Sequence, residues 1–445
     1  MHLRGSAMLR SGLRRFTSSS GRSVDTLVVG GGVMGSSLAL HLASLRGTGE
    51  GITVVERDPT YQTASATLSA GGIRQQFSLL ENVQMSLYGV DFLRHAAERL
   101  AVDGAEPVDV QFQERGYLFL ASEGAGHETL LRNHATQKAA GVDWMQILTP
   151  SELSAKFPWM TTDGVAAASL GTASEGWFDP WALLRGMRRK AIALGVSYLD
   201  GTPVAATRDG ARVASVDVEL RDGGGVERLQ PRVVANAAGA HARAVLEKLA
   251  AGGPAVAALP VAPRKRCVFV LKTPAPPCPP PPATPLWHAP LTVDTSGVYF
   301  RPEGASSRDT FLCGVSPEAA VDEDVADAGA LAVGEDDHRT LFEETIWPAL
   351  YSRVEAFGEL KVQASWAGLY EYNTLDQNAV IGWHPELHNV VHLCGFSGHG
   401  LQQAPAAGRA VAELIEHGRY TTLDLSIFGF ERVLRNEPVR ETGIV

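Results

Sequence analysis

The sequence predicts an α/β protein: a parallel-sheet domain assembled from separated stretches of chain, with a mixed β-sheet domain inserted between them. Three observations predict it. A glycine-rich turn, Gly30-Gly31-Gly32-Val33-Met34-Gly35, stands between a strand-like and a helix-like stretch. A second strand-like stretch ends in an acid, Glu56, 21 residues beyond Gly35. Another glycine-rich turn, Gly395-Phe396-Ser397-Gly398-His399-Gly400, begins 365 residues after the first and again opens a helix.

Residues 1–23 carry Arg4, Arg10, Arg14, Arg15 and Arg22, with serines and Thr17 crowded near their end and no acid. That is the composition of an organellar import peptide, with an unaddressed tail as the alternative. A secretory signal is disfavoured because no apolar core follows the arginines. Residues 24–30 read as a buried strand. Val33, Leu38, Leu42 and Leu45 give 33–46 a helical face, and 52–56 is a second strand, which makes a βαβ start. Residues 79–100 predict a helix and 116–120 a strand. A further helix starts at Ser151, with Glu152 in its first turn. Trp181 to Leu194 is amphipathic and is stopped by Gly195. Residues 203–237 alternate as strands, and 267–271 and 297–301 read as two more. Between the latter pair, eight of the twelve residues 274–285 are proline, which predicts an exposed extended insertion. Residues 318–337 hold Asp322, Glu323, Asp324, Asp327, Glu335, Asp336 and Asp337, and a solvated loop is the default. After Gly400, one helix face carries Leu401, Ala404, Ala407, Val411, Leu414 and Ile415, and Pro405 is tolerated in the first turn. The discontinuous domain is expected from 24–100, 176–254 and 371–434, the inserted sheet from 101–175 and 255–370, and a tail from 435–445.

The first turn matches GxGxxG, the phosphate loop of a Rossmann-like dinucleotide site. Gly30 permits the turn, Gly32 lets backbone approach a pyrophosphate, and Gly35 lets the helix pack on the sheet. Glu56 stands where a ribose hydroxyl is accepted, and an acid there disfavours a 2′-phosphate. The loop alone does not choose between FAD and NAD. Two later segments favour FAD. Val233 to Arg243 is a buried strand ending in small residues. The helix opened by the second glycine turn has a positive end suited to an anionic reduced flavin. Both ends of the chain would then hold one long cofactor. A single fingerprint also leaves no separate nicotinamide site, so oxygen or an electron carrier is the expected acceptor.

Gly30–Gly35 with Glu56, the Asn236–Ala240 segment and the Gly395–Gly400 turn resemble the D-amino acid oxidase, sarcosine oxidase and glycine oxidase class of FAD enzymes. The resemblance spans nearly all the chain after residue 24. The stretches Leu68–Ser78, Glu175–Trp181, Trp366–Asn378 and Gly398–Pro405 look like a mitochondrial member of that class associated with assembly of respiratory complex I. On the matching positions, the resemblance implies cofactor contacts from Gly30, Gly32, Val33, Met34, Gly35, Glu56 and Arg57. Ser65, Gly71 and Gly72 would add to these, as would Val204, Ala238, Gly239 and Gly368. The second turn would supply Gly398, His399, Gly400, Leu401 and Gln402. It also implies a small amino-acid-like substrate, held by arginine and tyrosine. The candidates are Arg74, after the pair Gly71-Gly72, and two alternating pairs, Tyr299 with Arg301 and Tyr370 with Tyr372. Complex I assembly intermediates are the implied partners, and the matrix, with at most peripheral contact to the inner membrane, the implied location.

The pattern departs from the class in three places. Ser69 stands where one group attaches FAD through histidine, and no cysteine lies near Trp366–Asp376, so noncovalent FAD is expected. Gln402 replaces the lysine that sarcosine oxidases carry, which puts fast oxygen use in doubt. Two functions stay open: oxidation of an amine by hydride transfer to flavin, or a non-catalytic FAD-binding assembly factor.

Composition narrows the remaining classes. The 445 residues, 45% of them hydrophobic, can bury two or three domains. A formal charge of −10 argues against nucleic acid as a partner. No apolar run reaches the ~18 residues of a membrane helix. Cys267, Cys278, Cys313 and Cys394 form no CxxC pair, and no metal-spaced histidine cluster occurs, so no metal is expected. The run Arg264-Lys265-Arg266 has a solvated patch as its default reading and an acidic or phosphate contact as its alternative.

Overall fold

The computed structural model describes residues 21–304, 306–318, 320–325 and 331–442. The expected import segment lies almost wholly outside the described residues. Its last two members, Arg22 and Ser23, already pair with Leu229 and Gln230 in the first strand, Arg22–Val29.

Four parallel strands form the middle of a seven-stranded sheet: Ile52–Glu56, Arg22–Val29, Val226–Asn236 and Val390–Cys394. Leu27-Val28-Val29 and Val390-Val391 are unbroken apolar runs because helices cover both faces of this sheet. Val33–Arg46, Pro180–Ala193 and Gly400–His417 lie on one face and Ala242–Ala250 on the other. Ser197–Asp209 adds parallel to Ile52–Glu56, and Val380–Trp383 antiparallel to Val390–Cys394. Ser197–Asp209 and Val226–Asn236 outrun their parallel partners. Both extensions pair antiparallel with Arg212–Leu220, which closes that side of the sheet into a ring. The first and last long helices approach closely at Gly408, where a Cβ would lie 2.3 Å from Ser37 Oγ. Ser37 Oγ donates to the Ala404 carbonyl at 2.7 Å.

The second sheet has eight strands, in the spatial order Lys361–Asn373, Val261–Lys272, Thr310–Gly314, Tyr299–Pro302, Leu291–Val293, Tyr117–Ala121, Ala167–Gly171 and Met145–Leu148. All neighbours are antiparallel except Leu291–Val293 with Tyr117–Ala121. Phe269, Phe300, Phe311 and Phe357 fill its core. The fold is the predicted α/β class with a mixed second sheet.

Some elements differ from expectation for local reasons. The helix expected over 79–100 breaks at His95, leaving Leu80–Arg94 and Ala96–Arg99. The helix expected from Ser151 begins at Pro150, because Thr149 and Glu152 form a reciprocal capping box. The acidic stretch and the basic run, both read as solvated by default, hold each other instead. Asp322 takes two bonds from Arg266, at 2.7 and 2.8 Å; Asp324 pairs with Arg264 at 2.8 Å and Asp337 with Lys265 at 2.8 Å. Asp327 lies outside the described residues. The tail is anchored: Glu441 accepts from the backbone N–H of Ser78 at 2.7 Å and from Asn82 at 2.9 Å. Among the described residues, no helix is long and apolar enough to cross a membrane.

Candidate active site

The strand Arg22–Val29 delivers the chain to Gly30, whose φ of +101° disfavours other residues. A Cβ on Gly30 would lie 2.4 Å from the Ala237 carbonyl oxygen, and one on Gly35 would lie 1.8 Å from that of Gly30. The fold itself demands these two glycines. Gly32 is different, since a Cβ there would meet nothing within 4 Å. It faces open space at the start of Val33–Arg46, a helix with no side-chain cap and no acid in its first turn. First-turn N–H groups have no intrahelical acceptor and form an anion cradle. Glu56 accepts from the N–H of Gly31 and of Asp58, both at 2.8 Å. Burial raises its pKa against those bonds. Each carboxylate oxygen keeps a second lone pair for a ligand hydroxyl.

A cavity of about 260 Å³ follows this loop, walled by Gly30, Gly32, Glu56, Arg57, Ala238 and Gly239, together with Pro203, His241 and Lys248. A second, of about 210 Å³, is walled by Gly72, Arg74, Tyr117, Tyr299, Gly368 and Tyr370 and by the turn Gly398–Gln402. Val33, Met34, Ser65, Ala66, Leu369 and Glu371 belong to both walls, so the two make one elongated site.

In the second cavity, Arg74 is only 5% exposed. Its guanidinium stands 4.5 Å from the ring centre of Phe77, 5.4 Å from Phe119 and 5.5 Å from Tyr117. Ring faces attract a cation where water is excluded. The Arg74 N–H donates to Gln402 Oε1 at 2.8 Å, and the Ser86 hydroxyl contacts both that oxygen and the Arg74 carbonyl. Nearby, the buried Glu175 accepts from the Gln75 N–H at 2.6 Å and from Gln76 Nε2 at 2.8 Å. Burial pushes its carboxyl up to about 8, against those bonds and the charge of Arg74. Burial also raises the phenols of Tyr117, Tyr299 and Tyr370, which therefore stay protonated. It lowers His399 to about 3, with the Arg74 charge acting the same way, so that ring is neutral at physiological pH.

The sequence model of a family described as FAD dependent oxidoreductase (DAO) matches residues 25–414. The chain belongs to this family. It is 44% identical over 442 residues to FAD-dependent oxidoreductase domain-containing protein 1 of Xenopus laevis, covering 95% of this chain and 85% of the relative. It is 25% identical over 404 residues to the mitochondrial sarcosine dehydrogenase of Homo sapiens, covering 89% of this chain and 40% of the relative. Among solved structures, L-proline dehydrogenase from P. horikoshii superposes with a TM-score of 0.75 at 25% identity, over 94% of this chain and 100% of that one.

FAD is thus the cofactor of this oxidoreductase, and the residues present fit it. The open side of Gly32 admits a phosphate where a methyl group would stand in its way. The site is long enough to need two joined cavities, with hydroxyl acceptors at one end and apolar walls with hydrogen-bond donors at the other.

Most residues singled out from sequence for this FAD-dependent oxidoreductase come together in these walls; five do not. Gly35 packs the helix on its strand, as above. Gly71, at φ +76°, lets the loop meet another backbone, since a Cβ there would lie 2.4 Å from the Phe178 carbonyl oxygen. Val204 sits at a bulge in the pairing with Arg212–Leu220 and is turned to solvent, leaving Gly201, Thr202 and Pro203 in the wall. Arg301 is spent on the fold: its Nε donates to the Ala70 carbonyl at 2.9 Å, it pairs with Glu303, and it covers Trp177. Tyr372 lies under the Arg264 guanidinium at 5.0 Å, outside the walls. Sequence reasoning assigned no site role to Tyr117, Cys267 or Glu371 and read Arg266 by default as part of a solvated patch, yet all four line the second cavity. No local signal marked Glu371, because an acid between two tyrosines on an edge strand is ordinarily solvated. Cys267 is held protonated, pushed to about 11 first by burial and then by Asp337.

Proposed function

We propose that this flavoprotein oxidises the amine of a small amino-acid-like substrate, and that Arg74 with Tyr117 and Tyr299 holds the substrate carboxylate. The observation that carries this is a buried arginine with two protonated phenols in the wall of the second cavity. FAD, held by the residues of the two cavity walls, would supply the acceptor for a hydride from the carbon beside the amine nitrogen, and the substrate would be left with a C=N bond and one proton to lose from nitrogen. The chain's own part is binding and exclusion. Arg74 neutralises the carboxylate, the aromatic walls keep water out, and neutral His399 adds no charge against an amine. The two similar dehydrogenases carry names that specify sarcosine and L-proline, both secondary amines bearing a carboxylate.

FAD is proposed to be noncovalent. Cys267, the one cysteine in the cavity walls among the described residues, is a protonated thiol and a poor nucleophile. A mitochondrial matrix location is proposed from the arginine-rich start and from the location in the human relative's name.

The test is anaerobic addition of sarcosine, N-methyl amino acids or L-proline to the yellow protein. Bleaching by the amino acids, and none by the same amines lacking a carboxylate, is expected. Arg74→Ala should raise KM at least tenfold, the loss of about 1.4 kcal/mol of carboxylate binding. Absence of bleaching by every such amine overturns the proposal. A second reading, an FAD-holding factor for complex I assembly that needs no turnover, is favoured by Gln402. Its carboxamide is committed to Arg74 and Ser86 where an oxygen-activating lysine would stand. Complex I assembly in cells carrying only Arg74→Ala separates the two: intact assembly supports the second reading, and lost assembly the first.

A further inference from the structure

Glu371 stands where the two cavities join. It projects from the strand Lys361–Asn373 on the side opposite Tyr370 and Tyr372, whose rings share the other face under Arg266 and Arg264. Its Oε2 accepts from the Gly395 N–H at 3.0 Å. Its Oε1 lies 3.1 Å from where a Cβ on Gly400 would sit, and Met34 Cε lies 3.0 Å from that same point. A carboxyl group is therefore set against the start of the last long helix, at the point that Met34 of the phosphate loop also reaches. Val33 and Met34 of the phosphate loop share both cavity walls with it.

Two influences favour ionisation: the backbone N–H groups of Gly395 and Phe396, and the positive end of Gly400–His417. Burial opposes them and prevails, pushing the carboxyl up to about 7. No cation pairs with it among the described residues. Cys394 beside it is itself kept protonated, chiefly by burial. Arg74, Arg266, Cys267, His399 and the phenols of Tyr117, Tyr299 and Tyr370 share the second cavity's wall with it, and Glu56, Arg57, Asp58, Tyr61, His241 and Lys248 the first's. A pyrophosphate held at the phosphate loop brings further negative charge to this unpaired acid.

We propose that Glu371 binds FAD as a neutral carboxylic acid, donating its proton to an oxygen of the cofactor's central portion, so that loading FAD takes up a proton. The inference rests on FAD binding and not on amine oxidation. Its readouts are binding measurements, so an inactive but FAD-loading enzyme leaves it standing.

The test titrates FAD into the deflavinated full chain between pH 6 and pH 9, following quenching of flavin fluorescence. Kd should be flat at low pH and then rise with a limiting slope of about tenfold per pH unit once Glu371 loses its proton. In Glu371→Gln, which keeps a donor but cannot ionise, Kd should stay flat over the same range. Calorimetry in two buffers of different ionisation heat should show proton uptake in the wild type and none in the variant. A flat wild-type Kd, a variant with the wild-type slope, or binding without proton uptake each overturns the proposal. Should Glu371→Gln fail to fold, buffer dependence in the wild type decides alone.

Discussion

Gly32 and Gly35 are the same residue three positions apart, and their replacement should have opposite consequences. A methyl group on Gly35 collides with backbone, whereas one on Gly32 enters the space meant for a ligand. Gly35→Ala is expected to melt far below the wild type or to be insoluble. Gly32→Ala should keep the melting temperature of the deflavinated protein and weaken FAD by about tenfold or more, roughly 1.4 kcal/mol. Thermal melts beside FAD titrations check both. Gln402 offers a second residue-level test. Its Oε1 is the acceptor for the buried Arg74 N–H. Gln402→Lys removes that acceptor, and an unsatisfied buried donor costs about 1–3 kcal/mol. A Gln402→Lys protein as stable as the wild type would show that this bond does not fix the loop. The glycines and Glu56 were legible in the sequence because the demands on them are local, within one βαβ unit. Tyr117, Glu175 and Glu371 were not. Their character comes from burial by other segments, such as Met34 and Gly395 around Glu371 and Gln75 and Gln76 around Glu175, which no local pattern encodes.

At the level of elements, caps and apolar runs were readable and long-range pairings were not. Thr149 and Glu152 mark a helix start by themselves, and Leu27-Val28-Val29 mark a doubly covered strand. Nothing in Arg264-Lys265-Arg266 says that its partners are Asp322, Asp324 and Asp337, because charge runs announce their sign and not their address. The pairing matters for the site, since Arg266 lines the second cavity and lies 4.5 Å above the Tyr370 ring. Asp322 is 8% exposed and neutralises that arginine through two bonds. Asp322→Asn leaves a largely buried cation without its counter-charge, at a cost of about 3 kcal/mol. Chemical denaturation should record that loss. A change below about 0.5 kcal/mol, the size expected for a surface pair, would contradict it.

For the molecule as a whole, buried titratable groups set the response to pH. His41 and His241 are lowered to about 4, and His392 and His399 to about 3, chiefly by burial. The unfolded chain binds their protons below its ordinary histidine pKa and the native state does not, so stability rises with pH up to about 6.5. Glu175 and Glu371 act with the opposite sign. They are raised to about 8 and about 7, so the native state keeps protons that the unfolded chain has already lost, and stability falls as pH climbs toward 8. Of these six groups only the two carboxyls titrate above about 6.5. The melting temperature of the deflavinated protein should therefore decline from pH 6.5 to pH 8.5, and Glu175→Gln should flatten the decline. A melting temperature that rises across that interval would mean the two carboxyls are ionised in the native state.

The central strand Val226–Asn236 lies between Arg22–Val29 and Val390–Cys394, the first and last of the parallel strands along the described residues. A growing polypeptide can shape the phosphate loop early, but the wall contributed by Gly398–Gln402 does not exist until those residues have left the ribosome. Cofactor capture consequently waits for the second wall, however early the first has formed. Nascent chains stalled before residue 395 should carry no tightly held flavin, however long they wait on the ribosome, while chains released at full length should acquire it.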